Sequence, residues 1–375
     1  MRIYKISTLA IWLTVIIFSF AQSRKEASTT GIVKPVIVPA ASELNYFVWS
    51  SMHDYYLWNA NVTNITNSNF IASKDSLNLF LNKYTDANKL FEDLLYQHGV
   101  VDKWSFIVND YSIIENWIAG ISKTMGYDFQ LYLVSSGSTD VFGVIRYVFP
   151  GSPAEKAGLK RGDFFSKIDG TQLNTTNYST LIAKETFALT LAKLSGGTLV
   201  TTTTTPVMIA VELQEDPVYL TKVLDVNGAK VGYIVYNGFT SDFDLRLNTV
   251  MQQFKASGIT KLIVDLRYNG GGSVQTATYF GSMIYTTDVA KVFSKSVYNT
   301  ILQSYFTQQY GSDALLNKFT DNIAATTTTA KATITSLNLS DVYFLVSKET
   351  ASASELLING LKPYMNVTVI GTNTY

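Results

Sequence analysis

The stretch Lys261–Leu266, "KLIVDL", is followed at once by "RYNGGG" and then by a helix-like segment from Ser273. A continuous apolar run of this length predicts a strand buried on both faces, as in parallel sheets. A strand that runs through a glycine turn into a helix is one half of a βαβ unit. The same order recurs downstream. "DVYFLVS" reads as a second buried strand, "TASASELL" opens a second helix, and "VTVIG" is the strand after it. Upstream, "AKVGYIVYNGF" is a strand and "SDFDLRLNTVMQQFKASG" an amphipathic helix. That helix carries Phe243, Leu247, Val250 and Phe254 on one side and Gly258 at its C-terminal cap position. From about residue 216 the chain therefore reads as α/β.

In such folds chemistry gathers at the carboxyl ends of the strands. Two strand-to-helix junctions, at Asn269–Gly272 and at Thr350–Glu355, would then face one crevice. Ser352 and Glu355 have the S-x-x-E spacing of a helix capping box. The same position puts a hydroxyl at the positive end of a helix dipole. Both readings, cap and nucleophile, fit the local sequence. If Ser352 is a nucleophile, the amides of Gly270 or Gly271 and of Ala353 are the candidate oxyanion donors. The glycine run lacks the G-x-G-x-x-G and Walker A spacings, which argues against a nucleotide site.

Composition narrows the chemistry further. The chain has no cysteine, which excludes disulfides, thiolate metal sites and a cysteine nucleophile. His53 and His98 are the only histidines, both in the first third, so a metal site or a Ser-His-Asp triad is not expected. A lysine made basic by desolvation is the remaining kind of base. Lys348 and Lys362 flank Ser352, but each reads as a surface lysine. Acidic and basic residues balance at 29 each, so no field draws the chain to nucleic acid.

The remaining segments suggest further modules. Met1–Ala21 reads as an export signal, with Arg2 and Lys5 before the apolar run Ile6–Phe20 and small residues at Ser19 and Ala21. The run is too short for a membrane span, so no stable span is expected after cleavage. Residues 22–40 read as a linker. Residues 41–118 form an aromatic-rich helical unit, in which Leu44, Val48, Met52 and Tyr55 share a helix face. Residues 119–215 read as β-rich. They hold the strands "FQLYLV" and "FGVIRYVF" and the glycine-punctuated "PGSPAEKAGLKRGDFFSKIDG". The threonine-rich segment after Gly197 is extended or loop rather than helix.

Taken in order, three of these motifs resemble the C-terminal processing peptidases, or tail-specific proteases. "PGSPAEKAGLKRGDFFSKIDG" is similar to the family's PDZ domain, "IVDLRYNGGG" to its core strand and glycine turn, and "TASASELL" to its nucleophile motif. The resemblance covers about residues 120–375, and the helical unit is similar to the N-terminal unit of exported bacterial members. It implies an exported, periplasmic or cell-envelope Ser/Lys endopeptidase with a crotonase-like core at 216–375. Ser352 would be the nucleophile, Gly270 or Gly271 with Ala353 the oxyanion hole, and the PDZ domain a reader of substrate C-termini. No metal or organic cofactor is implied, and the oligomeric state stays open. The edge strand around Gly126, Tyr127 and Phe129 is the candidate for strand addition by the peptide. By the same alignment the catalytic lysine falls at the second residue after Tyr375, so the core is expected to continue past this sequence. Pro363 stands where many members carry a supporting acid. A non-catalytic PDZ module that only captures protein tails is the rival expectation.

Overall fold

The computed structural model describes residues 38–326 and 330–375. The expected export signal, Met1–Ala21, and most of the linker after it lie outside the described residues. Three apolar cores follow one another along the chain, the first over Val48–Leu94, the second over Met125–Met208 and the third over Val218–Leu361.

The first core is helical. Helix α1 (Glu43–Tyr55) starts at Ser42, whose hydroxyl accepts from the Asn45 N–H at 3.1 Å. Its buried face matches the one that the apolar spacing predicts at Val48 and Met52 but not at Leu44 and Tyr55. Asn45, Val48, Trp49 and Met52 point inward, while Leu44 and Tyr55 are 60% and 69% exposed. The reason is a polar one. Helix α2 (Lys74–Leu81) and the turn after it present two carbonyls to α1, those of Leu81, which also accepts from the Tyr84 N–H, and of Tyr84. Asn45 Nδ2 donates to Leu81 O at 3.1 Å and to Tyr84 O at 2.8 Å. These two bonds keep Asn45 on the buried side of the helix and Leu44 off it.

The second core belongs to a β-rich domain. Strands β1 (Tyr127–Leu133), β2 (Val141–Val148), β3 (Phe164–Ile168), β4 (Leu189–Ser195) and β5 (Thr198–Thr204) form a sheet in that spatial order, all antiparallel. The threonine run is thus an edge strand. The other edge is β1. Leu131 on β1 and Leu181 and Ile182 from helix α3 (Tyr178–Ile182) all pack on this domain's core. A short pair, Ile121–Thr124 with Val211–Gln214, joins the chain's entry to and exit from this domain.

The third core carries the α/β unit. Its sheet runs β6 (Val218–Val226), β7 (Ala229–Tyr236), β8 (Lys261–Asp265), β9 (Asp341–Val346) and β10 (Asn366–Gly371). The first pair is an antiparallel hairpin turning at Asn227–Gly228, both at positive φ. The other three pairs are parallel. Helices α4 (Asp244–Ala256), α5 (Val274–Ile284) and α6 (Ala353–Leu361) make the crossovers. They supply Leu247, Phe280 and Leu357 to the core they share with Val264 and Phe344 of the sheet.

Burial on both faces of β8 and β9 was the expectation, and the structure corrects it. Leu262, Val264, Val342 and Phe344 are fully buried, whereas Ile263, Tyr343 and Leu345 on the other face are half-buried. The helices cover one side only. The other side carries polar pairs, among them Tyr233 with Asp265 and Lys261 with Tyr343.

Two carboxyls, Asp244 buried and Glu215 half-buried, make this fold sensitive to pH. Desolvation, reinforced by Asp242 and opposed by Thr276, pushes Asp244 up to about 7. Desolvation also pushes Glu215 up to about 7, against the hydrogen bond from Asn237. Between the ordinary carboxyl range and about pH 7 the folded chain keeps these protons and the unfolded chain loses them. Stability therefore falls as pH rises through that window, by at most about 1.4 kcal/mol per pH unit for each group. The Tm should drop between about pH 5 and about pH 8. Asp244→Asn should flatten part of that drop and raise the Tm at the alkaline end. An unchanged pH profile in the variant would contradict the assignment.

Candidate active site

All four parallel strands deliver their carboxyl ends to one edge of the sheet. Asn237–Phe239 follow β7, Arg267–Gly272 follow β8, Ser347–Ser352 follow β9, and Thr372–Tyr375 follow β10. The two junctions singled out in the sequence are thereby brought together. Arg267–Gly272 and Ser347–Ser352 lie side by side, joined by hydrogen bonds.

Asn269 holds the junctions in place. It is fully buried. Its Nδ2 donates to Tyr236 O at 2.8 Å, and its Oδ1 accepts from the Gly271 N–H at 2.9 Å. Its carbonyl accepts from the Ala351 N–H at 3.2 Å and from the Ser354 hydroxyl at 3.1 Å. Thr350, also fully buried, donates its hydroxyl to Leu266 O at 2.7 Å and accepts from the Ser347 N–H at 2.9 Å. Neither residue was given a role from the sequence. The signal available was only the strand-to-turn position of Asn269, which an ordinary turn residue shares.

Ser352 differs from its neighbours. Ala351, Ala353 and Ser354 are buried, whereas Ser352 is exposed. Its backbone lies at φ +55° and ψ −116°. An N-cap residue ordinarily sits in the extended region, and a positive φ outside the left-handed helical well is strained for a serine. The capping box is present all the same. The Ser352 side chain lies at the Glu355 N–H, and the Glu355 carboxylate accepts from the Ser352 N–H at 3.1 Å. The cap accounts for the S-x-x-E spacing but leaves the strain unexplained. The other hydroxyls near the helix start, those of Thr350 and Ser354, are buried and engaged.

The glycine turn packs directly on this serine. A Cβ at Gly271 would stand 2.6 Å from the Ser352 Cβ and 2.9 Å from the Ala353 nitrogen, and Gly271 itself lies at φ +109°. Its N–H, expected as an oxyanion donor, is accepted by Asn269 Oδ1. The Gly270 N–H makes no hydrogen bond among the described residues, and a Cβ there would meet nothing within 4 Å. Ala353 begins helix α6, so its N–H is one of the helix's unpaired first-turn donors.

Neither candidate lysine has a hydrogen bond to the serine among the described residues. Lys362 lies at the opposite end of α6 and donates to Asn359 Oδ1 at 3.2 Å. Lys348 is exposed. His53 belongs to α1 and pairs with Asp54, and among the described residues neither His53 nor His98 has a hydrogen bond to Ser352. The segment after β10 does reach the site. The Tyr375 N–H donates to Thr350 O at 3.1 Å, and the Thr374 hydroxyl donates to the Glu355 carboxylate at 2.6 Å.

The peptide-binding candidates on β1 fall differently from expectation. Gly126 donates its N–H to Thr124 Oγ1, and its carbonyl accepts from Phe149 and Ser152. A Cβ there would lie 2.2 Å from the Ser152 Cβ. Tyr127 and Phe129 pack edge-on against Phe165, 6.0 and 5.5 Å between ring centroids. Gly126 is thus a packing glycine, and the two rings serve the domain core. What β1 leaves open is its outer backbone edge, since it pairs only with β2.

Comparison with known proteins finds three family matches along the chain. Residues 43–106 match the peptidase S41 N-terminal domain, residues 144–193 a PDZ domain, and residues 230–375 peptidase family S41. A carboxyl-terminal-processing protease of Picosynechococcus is 27% identical over 245 residues, covering 63% of this chain and 50% of that protein. The chloroplastic carboxyl-terminal-processing peptidase 2 of Arabidopsis thaliana is 26% identical over 269 residues, covering 69% and 45%. The chain spans about half the length of the curated relatives it matches. A solved S41 protease of Bacteroides fragilis aligns with a TM-score of 0.61 at 25% identity, over 88% of this chain and 78% of that one.

The glycine packing separates two substitutions that sequence alone treats alike. Gly271→Ala should lower stability by about 1–3 kcal/mol through the clash with Ser352 and the positive φ. Gly270→Ala should leave the Tm within a degree or two of the parent. Equal effects in thermal melts would sink this account of the turn.

Proposed function

Given that the chain belongs to peptidase family S41 and carries that family's N-terminal and PDZ modules, we propose that it is a serine-type endopeptidase cleaving exported proteins by a Ser/Lys mechanism. The observation that carries this reading is the strained, exposed backbone of Ser352 between buried neighbours. Strain of this kind persists where the surroundings over-determine it, and it clusters at reactive sites.

In the proposed reaction Ser352 Oγ attacks the scissile carbonyl. The oxyanion that develops accepts hydrogen bonds from the Ala353 N–H and from an amide of the Gly270–Gly271 turn, at the positive end of α6. A neutral lysine amine takes the Ser352 proton and passes it to the leaving amine. Water then releases the acyl group by the reverse sequence. We assign the lysine to the chain following Tyr375. The bonds from Thr374 to Glu355 and from Tyr375 to Thr350 support that assignment, because they start the following residues alongside Ser352. The reaction requires no metal or organic cofactor.

The PDZ domain would capture the C-terminus of a protein substrate as an added strand along β1, with Leu131, Leu181 and Ile182 receiving apolar side chains. The export reading rests on Met1–Ala21 alone. Among the described residues no helix is long and apolar enough to cross a membrane.

Expressed from its whole gene, the protein should degrade an unfolded substrate. Ser352→Ala should lower kcat on the order of 10⁴-fold or more. Cleavage by the variant at the parent's rate would remove Ser352 as nucleophile. Peptide binding without any cleavage by the parent would favour the tail-capturing module instead. Amidating the substrate's C-terminus should slow cleavage, and an unchanged rate would count against recognition of the tail.

A further inference from the structure

The seam between the PDZ domain and the α/β core encloses a cavity of about 110 Å³. Tyr147 and Arg161 line it from the PDZ side, and Tyr219, Tyr233, Tyr268 and the Asp265–Arg267 ion pair from the core, so the one carboxylate in the lining is already neutralised by its own arginine. A water occupies ~30 Å³ of the liquid, so the space suits a side chain of several heavy atoms. Its position relative to Ser352 follows from two links. Tyr268 immediately precedes Asn269, and Glu349, three residues before Ser352, pairs with Arg146 of the PDZ domain.

The charges around Tyr268 are unevenly paired. Three guanidinium carbons stand near its ring, Arg146 at 4.9 Å, Arg161 at 5.5 Å and Arg267 at 5.9 Å from the centroid. Arg146 is bidentate to Asp128, at 2.7 and 2.8 Å, and also reaches Glu349. Arg267 is bidentate to Asp265, at 2.9 and 2.6 Å. Arg161 donates only to neutral oxygens, the Arg146 carbonyl and the Tyr268 hydroxyl. Among the described residues it forms no ion pair. Of the three it alone keeps its charge free, and it lines the cavity.

We propose that this seam pocket is a peptide subsite for a residue that carries a carboxylate, with the carboxylate on Arg161 and the apolar part between the Tyr147, Tyr219 and Tyr268 rings. Arginine binds a carboxylate through two parallel N–H donors, and tyrosine rings hold apolar groups with little loss of side-chain freedom. Calling the pocket a substrate subsite rests on the endopeptidase reading, but binding to it does not. The carboxylate can come from a free C-terminus or from an Asp or Glu side chain.

Fluorescence anisotropy on the full-length Ser352→Ala protein distinguishes these sources. The probes are three fluorescein-labelled peptides of one apolar sequence ending in Phe. One has a free C-terminus, one is amidated, and one is amidated with Glu next to the Phe. At least one carboxylate probe should bind about tenfold more tightly than the neutral amide, and Arg161→Gln should erase that margin. Loss of the margin for the free acid alone assigns the pocket to chain ends, and loss for the Glu probe alone assigns it to acidic side chains. A margin that survives Arg161→Gln belongs to the β1 edge and overturns the proposal, as does the absence of any margin in the parent. Tyr219→Ala should weaken all three probes, and unchanged affinities would remove the aromatic half of the site. Cleavage by the parent is scored separately. Its absence would end the endopeptidase reading without altering the anisotropy result.

Discussion

One buried carboxamide, that of Asn269, holds three chain segments at the carboxyl edge of the sheet. Its side chain spans from the end of β7 to the glycine turn, and its carbonyl receives two donors from the start of α6. A buried amide left without partners costs about 1–3 kcal/mol per group, whereas each bond made returns only about 1 kcal/mol net. The arrangement is thus held less by the strength of any one bond than by the penalty for leaving any one unmade. That asymmetry makes the geometry nearly all-or-none. The turn, the segment Ala351–Ser354 and the end of β7 keep their relative positions or lose them together. A serine at φ +55° needs such a frame, because nothing in its own three-residue neighbourhood favours that backbone.

The frame extends outward through charge. Arg146 joins Asp128 of the PDZ sheet to Glu349 of the segment leading to Ser352, and Tyr268 packs against the guanidinium groups from both sides of the seam. These groups are partly buried, where opposite charges attract more strongly than in water and an unpaired one is penalised. The half-covered outer face of β8 and β9 belongs to the same picture. A sheet covered by helices on one side only leaves a face on which Tyr233, Asp265 and Arg267 hydrogen-bond with one another. The second domain leans on that polar face, which leaves a pocket at the seam in place of a continuous apolar interface.

Much of this was legible in the sequence. The strand, glycine turn and helix at 261–284, and the strand, serine motif and helix at 341–361, follow from apolar runs and punctuating residues. Features that depend on a distant partner were not. The buried face of α1 was read from apolar spacing alone, and it includes Asn45 because its amide bonds two carbonyls at and after the end of α2. The β8 run "KLIVDL" is equally apolar whether one or two helical layers cover it, so its half-buried face was invisible. Gly126 and Gly271 were both read as ligand-facing glycines. Each proves to be where a second segment presses against the backbone, against Ser152 in one case and Ser352 in the other. Close approach across 26 or 81 residues of chain leaves no local mark beyond the glycine itself.

The Ser352–Glu355 pair shows why a cap and a nucleophile need not exclude each other. In an ordinary capping box the serine backbone is extended and the glutamate closes the first turn. Here Glu355 still accepts from the Ser352 N–H, but with its other oxygen it accepts from Thr374, on the segment after β10. One carboxylate at the positive end of the helix is favoured by the dipole, and it links the serine to the segment from which a base is proposed to come. The glutamate therefore serves the helix and the site through the same charge. The serine, freed from the extended conformation of a plain cap, takes its backbone geometry from Asn269 and the glycine turn. What the four-residue spacing encodes is the link to Glu355; what it cannot encode is the sign of φ at Ser352, which is set by segments that follow β7 and β8.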